Sequence, residues 1–122
     1  TFDRVFIDSP CTGLGTLRRH ADIRWRLRPE TIAESAELDA RLLESAASHV
    51  APGGILAYAT CTVTHEENAD AVEAFLATEA GAAFEVVPCR NPDLDIELPF
   101  FSTVLEPGGP DAHFLALLRR KA

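Results

Sequence analysis

Two short β-prone runs, VFID at residues 5–8 and ILAYAT at residues 55–60, are joined by one long apolar stripe at helical spacing. The stripe is Ile32, Ala36, Ala40, Leu43, Ala47 and Val50, recurring at intervals of four, four, three, four and three residues. That period places all six on one face of a helix. Pro29 suits the helix's first turn, and the APGG of residues 51–54 stops it, because proline cannot continue a helix and glycine accepts a left-handed cap. A strand, a long helix and a second strand then join as a right-handed parallel crossover.

The alternation continues along the chain. ILAYAT is apolar on both faces, as parallel strands covered by helices are. Thr64 with Glu67 three residues on has the form of a capping box, and Ala69, Val72, Phe75 and Leu76 make the inner face of the helix it opens. Gly81 closes that helix, Phe84–Val87 reads as a third strand, and residues 88–110 as a Pro-rich connection without a period. His113–Arg119 is the last strand, and a strand reached by an irregular connection is commonly antiparallel. The expected class is α/β, a mostly parallel sheet with an antiparallel last strand.

Composition narrows the function classes. At 47% apolar and 25% charged, the 122 residues have the profile of one soluble globular unit and not of a disordered tail. No apolar run approaches the roughly 18 residues a membrane span needs, and no leader pattern opens the chain. Three cysteines with no CxxC pair and no zinc-like spacing argue for free thiols in a reducing compartment, the cytoplasm. With no methionine and a start directly in a strand pattern, the chain reads as part of a longer protein cut just before a strand. The bare edge of that strand is expected to recruit a partner, by dimerisation or strand exchange.

The net charge of −8 speaks against nucleic acid, but its distribution does not. Residues 18–28, RRHADIRWRLR, hold five of the eleven basic side chains, one Asp and the only Trp. Such a segment can be an ordinary solvated loop. Trp25 within it favours a surface that meets phosphates and bases.

Open α/β sheets bind ligands at the carboxyl ends of their strands. Asp8 and Cys11 follow the first strand, and Cys61 ends the second. Cys61 also lies three residues before the expected helix start at Thr64, where a helix end favours the thiolate. On residue types alone two readings stand: each cysteine is a small buried hydrophobe, or the two are halves of one site. Cys89, in an irregular stretch, reads as packing. Other thiol chemistries fit poorly. A phosphatase loop needs an arginine six positions after its cysteine, and position 17 is Leu17; GLGTLR lacks the third glycine of a dinucleotide fingerprint. His20, His49, His65 and His113 show no ligand spacing, so no metal is expected.

These motifs resemble a known family. DSPCTGLGTLRRHADIRW, residues 8–25, resembles the DAPCSGxGxxRRHPDIKW segment of RNA (cytosine-5)-methyltransferases of the Sun/Fmu/RsmB kind. PGGILAYATCTVTHEEN, residues 52–68, is similar to that family's PGGxLVYSTCSxxxEEN, and DAHFLALLRRK, residues 111–121, to its DGFFxAxLRK. Ser9 replaces the usual alanine, and Thr12 and Thr62 replace the usual serines.

The resemblance implies the C-terminal portion of a Rossmann-like, S-adenosylmethionine-dependent methyltransferase sheet. Residues 1–122 would then form a partial catalytic domain, the target-base half, with the glycine-rich cofactor loop upstream. Cys61 would be the nucleophile that adds to carbon-6 of a cytosine in ribosomal RNA. Cys11 would assist the later step, in which the carbon-5 proton leaves and the enzyme is released. Asp8 would lie beside the cytosine's amino edge and the methionine end of the cofactor, while Arg18, Arg19, His20 and Arg24 would face the RNA. The alternatives are a non-catalytic RNA-binding module, or a DNA cytosine-5 methyltransferase in which Cys11 attacks. The isolated chain is expected to be inactive and to bind cofactor weakly.

Overall fold

A computed structural model describes residues 1–91 and 95–122. Strand β1 (Phe2–Asp8) leads through a loop and one 3₁₀ turn (Leu14–Thr16) to the single-turn helix α1 (Ile23–Arg26) and the long helix α2 (Pro29–Ala47). Strand β2 (Val50–Thr60), helix α3 (Ala69–Leu76) and strand β3 (Phe84–Val87) follow. The short strands β4 (Cys89–Asn91), β5 (Ile96–Leu98) and β6 (Phe101–Ser102) precede β7 (Phe114–Arg120). The predicted irregular connection at 88–110 is thus partly strand, and its residues 92–94 lie outside the described residues.

The main sheet has the order β1-β2-β7-β3, with β6 also pairing with β7. β1 and β2 are parallel, from Arg4 opposite Ile55 to Asp8 opposite Ala59. β7 is antiparallel to both β2 and β3, so β1, β2 and β3 run one way and the last strand is wedged between two of them in reverse. The expected class holds. What the pattern did not reveal is the slot: the crossover through α3 skips one strand position, and β7 fills it.

Pro29 opens α2 as expected, but the helix ends at Ala47. Val50, counted in the helical stripe, is instead the buried first residue of β2. The APGG segment does not stop a helix; it bulges within β2, where pairing jumps from Phe2–Val50 to Arg4–Ile55 and Gly53 takes φ +77. β1 is less buried than its apolar run implies. Phe2 and Phe6 are 65% and 64% exposed, and among the described residues β1 pairs with β2 alone.

Leu43, Val50, Leu56, Tyr58, Val72, Phe75, Phe84, Phe114 and Leu118 form the core between the sheet and its helices. Tyr58 meets Phe114 edge-on at 6.3 Å, and Phe75 meets Phe84 at 5.6 Å. Such aromatic pairs contribute about 0.5–1.5 kcal/mol each beyond their burial. Among the described residues, no helix is long and apolar enough to cross a membrane.

Asp39 lies on the buried face of α2 beside Leu43 and Ala47. The Ser9 hydroxyl donates to its Oδ1. Its Oδ2 receives no hydrogen bond among the described residues, and the one proton of the neighbouring Tyr58 hydroxyl goes to the Glu67 carbonyl at 2.5 Å. Burial pushes the Asp39 carboxyl above its ordinary 3.8, so the folded chain holds this proton after the unfolded chain has lost it. Stability contributed here is therefore full at acid pH and falls as pH rises past 3.8 through the folded value. Asp39→Asn is expected to raise the melting temperature at pH 7 and to lose that advantage below pH 4. Parallel melts of both proteins across this range check the sign; equal melting temperatures at pH 7 would contradict it.

Candidate functional site: two cysteine loops at the carboxyl end of the sheet

The ladder between β1 and β2 ends where the Ser9 amide donates to the Ala59 carbonyl at 2.9 Å. Beyond it the chain leaves the sheet as two loops, one carrying Cys11 and the other opening at Cys61. The sulfurs lie 3.2 Å apart, and the Cys61 amide donates to the Cys11 sulfur at 3.4 Å. Burial, then the hydrogen bond with Cys61, push the Cys11 thiol from 9.0 up to about 12. Cys11 therefore keeps its proton and can donate it to a Cys61 thiolate; with both sulfurs protonated either can be the donor.

Gly13 turns the first loop at φ +72, a conformation that favours glycine. Gly15 then passes so close to the second loop that its amide reaches the Cys61 carbonyl at 3.0 Å, while the Ala112 amide reaches the Gly15 carbonyl at 2.9 Å. Three distant stretches of chain meet at this one glycine.

Behind the sulfurs lies a buried polar network centred on Glu67, which is 0% exposed. Its Oε1 accepts the Thr12 amide at 2.7 Å, and its Oε2 accepts the Thr12 hydroxyl at 2.6 Å and the Thr64 hydroxyl at 2.5 Å. Because the Thr12 proton is given to Glu67, the Thr62 hydroxyl is the donor in its 2.8 Å contact with Thr12. Asn68 completes the arrangement, donating to the Thr62 carbonyl at 3.0 Å and accepting from the Thr60 hydroxyl at 2.6 Å.

The expected capping box is therefore corrected. Thr64 and Glu67 do meet, but the carboxylate serves the Cys11 loop and not a helix end. α3 starts at Ala69 with Asn68 at its N-cap, well beyond Thr64. The field of a helix end at Thr64, invoked for the Cys61 thiolate, goes with it; the neighbour in contact with the Cys61 sulfur is Cys11.

Among the other predicted site residues, Asp8 is exposed at the last position of β1. Arg18 donates to the carbonyls of Gly109 and Glu106 at 2.8 and 2.7 Å. Arg19 pairs with Asp111 at 2.6 Å, and that guanidinium holds the Asp111 carboxyl below its usual range. Both arginines brace the 106–111 turn ahead of β7. His20 and Arg24 are exposed, with Arg24 stacked 5.6 Å from the ring centre of Trp25, itself 82% exposed. Cys89 sits apart in β4, half-buried, its thiol also raised by burial. Among the described residues no group of three or more His, Cys, Asp or Glu is placed to hold a metal.

Residues 1–119 match the family model described as 16S rRNA methyltransferase RsmB/F. The chain belongs to this family. Ribosomal RNA small subunit methyltransferase B of Klebsiella pneumoniae (strain 342) is 50% identical over 76 residues, 62% of this chain and 18% of that protein. Its counterpart in Salmonella newport (strain SL254) is 48% identical over 82 residues, 67% of this chain and 19% of that protein. The chain thus spans under a fifth of the length of these relatives.

The crystal structure of PH0851 matches with a TM-score of 0.83 at 36% identity, over 97% of this chain and 26% of that one. A methyltransferase homolog protein from Pyrococcus horikoshii matches at 0.74 with 28% identity, over 98% of this chain and 39% of its own. NSun6 from Pyrococcus horikoshii with SFG, at 22% identity and 0.70, shares the fold, over 96% of this chain and 29% of its own. The sheet is accordingly the expected portion of a Rossmann-like methyltransferase sheet.

Within this RsmB/F-family site, Glu67 and Gly15 went unassigned at the level of sequence. Glu67 was legible only as a local helix signal, since its partner Thr12 is 55 positions away. Gly15 was visible as a loop residue, but its approach to Cys61 depends on the fold.

Proposed function

We propose that this chain is the target-base part of an S-adenosylmethionine-dependent RNA (cytosine-5)-methyltransferase acting on ribosomal RNA, with Cys61 as nucleophile and Cys11 as its proton partner. One observation carries the reading. Two thiols touch at 3.2 Å at the carboxyl ends of adjacent parallel strands, and burial pushes the Cys11 thiol up.

The hydrogen bond from Cys11 stabilises negative charge on the Cys61 sulfur, the form that attacks carbon. Addition of that thiolate to carbon-6 of cytosine moves electron density to carbon-5, which then takes a methyl group. Loss of the carbon-5 proton to solvent restores the ring double bond and expels the Cys61 thiolate. Cys11 assists this release, because the departing sulfur re-enters the contact it left.

S-adenosylmethionine supplies the methyl group when bound. Asp8 fits its ammonium group, as an exposed carboxylate at a strand end where such sheets bind ligands. The rest of a cofactor cradle is looked for in the portion of the relatives that this chain does not span, so weak cofactor binding by the 122 residues alone is expected.

The RNA-facing surface is read as His20, Arg24 and the open face of Trp25, which offers a stacking platform. Arg18 and Arg19 act on it indirectly by fixing the 106–111 turn. In the isolated chain the unpaired edge of β1, with Phe2 and Phe6 exposed, is read as a site for dimerisation or strand exchange.

A DNA-methylating reading would make Cys11 the nucleophile. A thiol pushed up to about 12 is a poor source of thiolate, which favours Cys61. The test is methyl transfer by the complete protein to unmodified small-subunit ribosomal RNA. Label recovered as 5-methylcytidine is expected; label in another nucleoside, or transfer to DNA alone, would overturn the proposal.

A further inference from the structure

We propose that Glu67 is the positioning residue of the cysteine pair: its buried carboxylate ties the Cys11 loop to the Cys61 loop and sets the distance between the two sulfurs. The inference rests on reading Cys11 and Cys61 as one site.

Strand pairing cannot do this work alone. The β1–β2 ladder ends at Ser9 and Ala59, before either cysteine is reached. Past that point the loops are joined by the cysteine pair itself, the Gly15 amide on the Cys61 carbonyl, the Thr12–Thr62 contact and two bonds from Thr12 to the Glu67 carboxylate. Among the described residues, that carboxylate is the one group bonded to both loops by its side chain. Thr12, which follows Cys11 directly, gives it both an amide and a hydroxyl proton. Thr64, three residues past Cys61, gives it a hydroxyl proton. Thr62, adjoining Cys61, joins through the Thr12 hydroxyl. The donors therefore follow each cysteine within three residues.

Three donors face a carboxylate that can accept about four hydrogen bonds, so the set is satisfied without competition. Glu67 is itself anchored by its backbone and its neighbour. Its carbonyl takes the buried Tyr58 hydroxyl at 2.5 Å, and its neighbour Asn68 bonds to Thr60 and Thr62. A carboxylate serving only to cap a helix would bond locally. This one reaches 55 residues back along the chain.

The test uses the complete enzyme and three variants, Glu67→Ala, Glu67→Gln and Thr12→Val. Two rates are read: disulfide closure between Cys11 and Cys61 under the azo oxidant diamide, and adduct formation with 5-fluorocytosine RNA. Disulfide geometry is narrow, so closure reports sulfur placement without any reference to catalysis.

Thr12→Val, which removes the hydroxyl that joins Glu67 and Thr62, is expected to slow closure about tenfold, and Glu67→Ala to slow adduct formation about 100-fold, the usual cost of a misplacement near 1 Å. Glu67→Gln keeps one acceptor in place and is expected to recover part of both rates. If Glu67→Ala fails to fold, the other two variants carry the test. Wild-type closure in Glu67→Gln and Thr12→Val, with only a lowered melting temperature, would overturn the positioning role. A wild type that forms no adduct, with closure still slowed in the variants, would sink the catalytic reading and leave the positioning intact.

Discussion

Cys61→Ala is expected to abolish the covalent adduct with 5-fluorocytosine RNA, while Cys11→Ala still forms it and, on ordinary RNA, releases it slowly. The two sulfurs touch, yet they are not equivalent. Burial raises the Cys11 thiol to about 12, and its sulfur accepts the Cys61 amide and lies where its hydrogen can serve a Cys61 thiolate. Removing the attacking sulfur removes the step, so methyl transfer by Cys61→Ala is expected to fall by about 10³-fold or more, as for other nucleophile deletions. Removing Cys11 withdraws a hydrogen bond from the thiolate, which slows attack modestly. Its larger effect is on departure, because the leaving thiolate loses its donor. Denaturing gels with 5-fluorocytosine RNA and with ordinary RNA separate the two roles. An adduct lost in Cys11→Ala and kept in Cys61→Ala would exchange the assignments.

Gly15→Ala is the second large effect expected, and its cause is steric. A methyl group on Gly15 would stand 2.3 Å from the Ala112 carbonyl oxygen and 2.7 Å from that of Cys61. Both are main-chain atoms, so no rotamer relieves the clash. The backbone must part, straining the two hydrogen bonds that join the Cys11 loop, Cys61 and Ala112. A loss of about 2–4 kcal/mol is expected, seen as a melting temperature lowered by about 10 °C. Adduct formation should slow as well, since the Cys61 carbonyl moves with the clash. Gly53→Ala is the control: a Cβ there meets nothing within 4 Å, and only its φ of +77 opposes the change, at a cost of about 1–2 kcal/mol. Equal melting temperatures for Gly15→Ala and the unaltered protein would refute the close approach.

These two predictions mark where sequence and fold part company. The apolar periods placed β1, α2 and β3 with small boundary shifts, and β2 from Ile55 onward, because hydrophobic spacing is a local property that burial enforces. Cys11 and Cys61 were legible as strand-end residues for the same reason, and the parallel crossover between them made their proximity a consequence of topology. Glu67 shows the opposite case. Thr64 and Glu67 have capping-box spacing and their side chains do bond, but the larger share of the carboxylate's bonds comes from Thr12. Spacing along a chain cannot reveal a partner 55 residues away.

The basic segment divides in a similar manner. Its charge could be counted in the sequence, but whether Arg19 meets RNA or Asp111 depends on where the turn before β7 lies. Asp39 was invisible for a simpler reason. A carboxylate amid a helical stripe reads as an interruption, whereas the folded chain buries it beside Ser9 and Tyr58.

The most direct test of the paired-cysteine account is to locate the adduct. Wild-type complete protein is trapped on 5-fluorocytosine RNA, digested with protease and nuclease, and the nucleotide-bearing peptide is sequenced by mass spectrometry. The account predicts the nucleotide on Cys61, with Cys11 recovered as a free thiol. A nucleotide on Cys11, or on neither cysteine while methyl transfer proceeds, would contradict it.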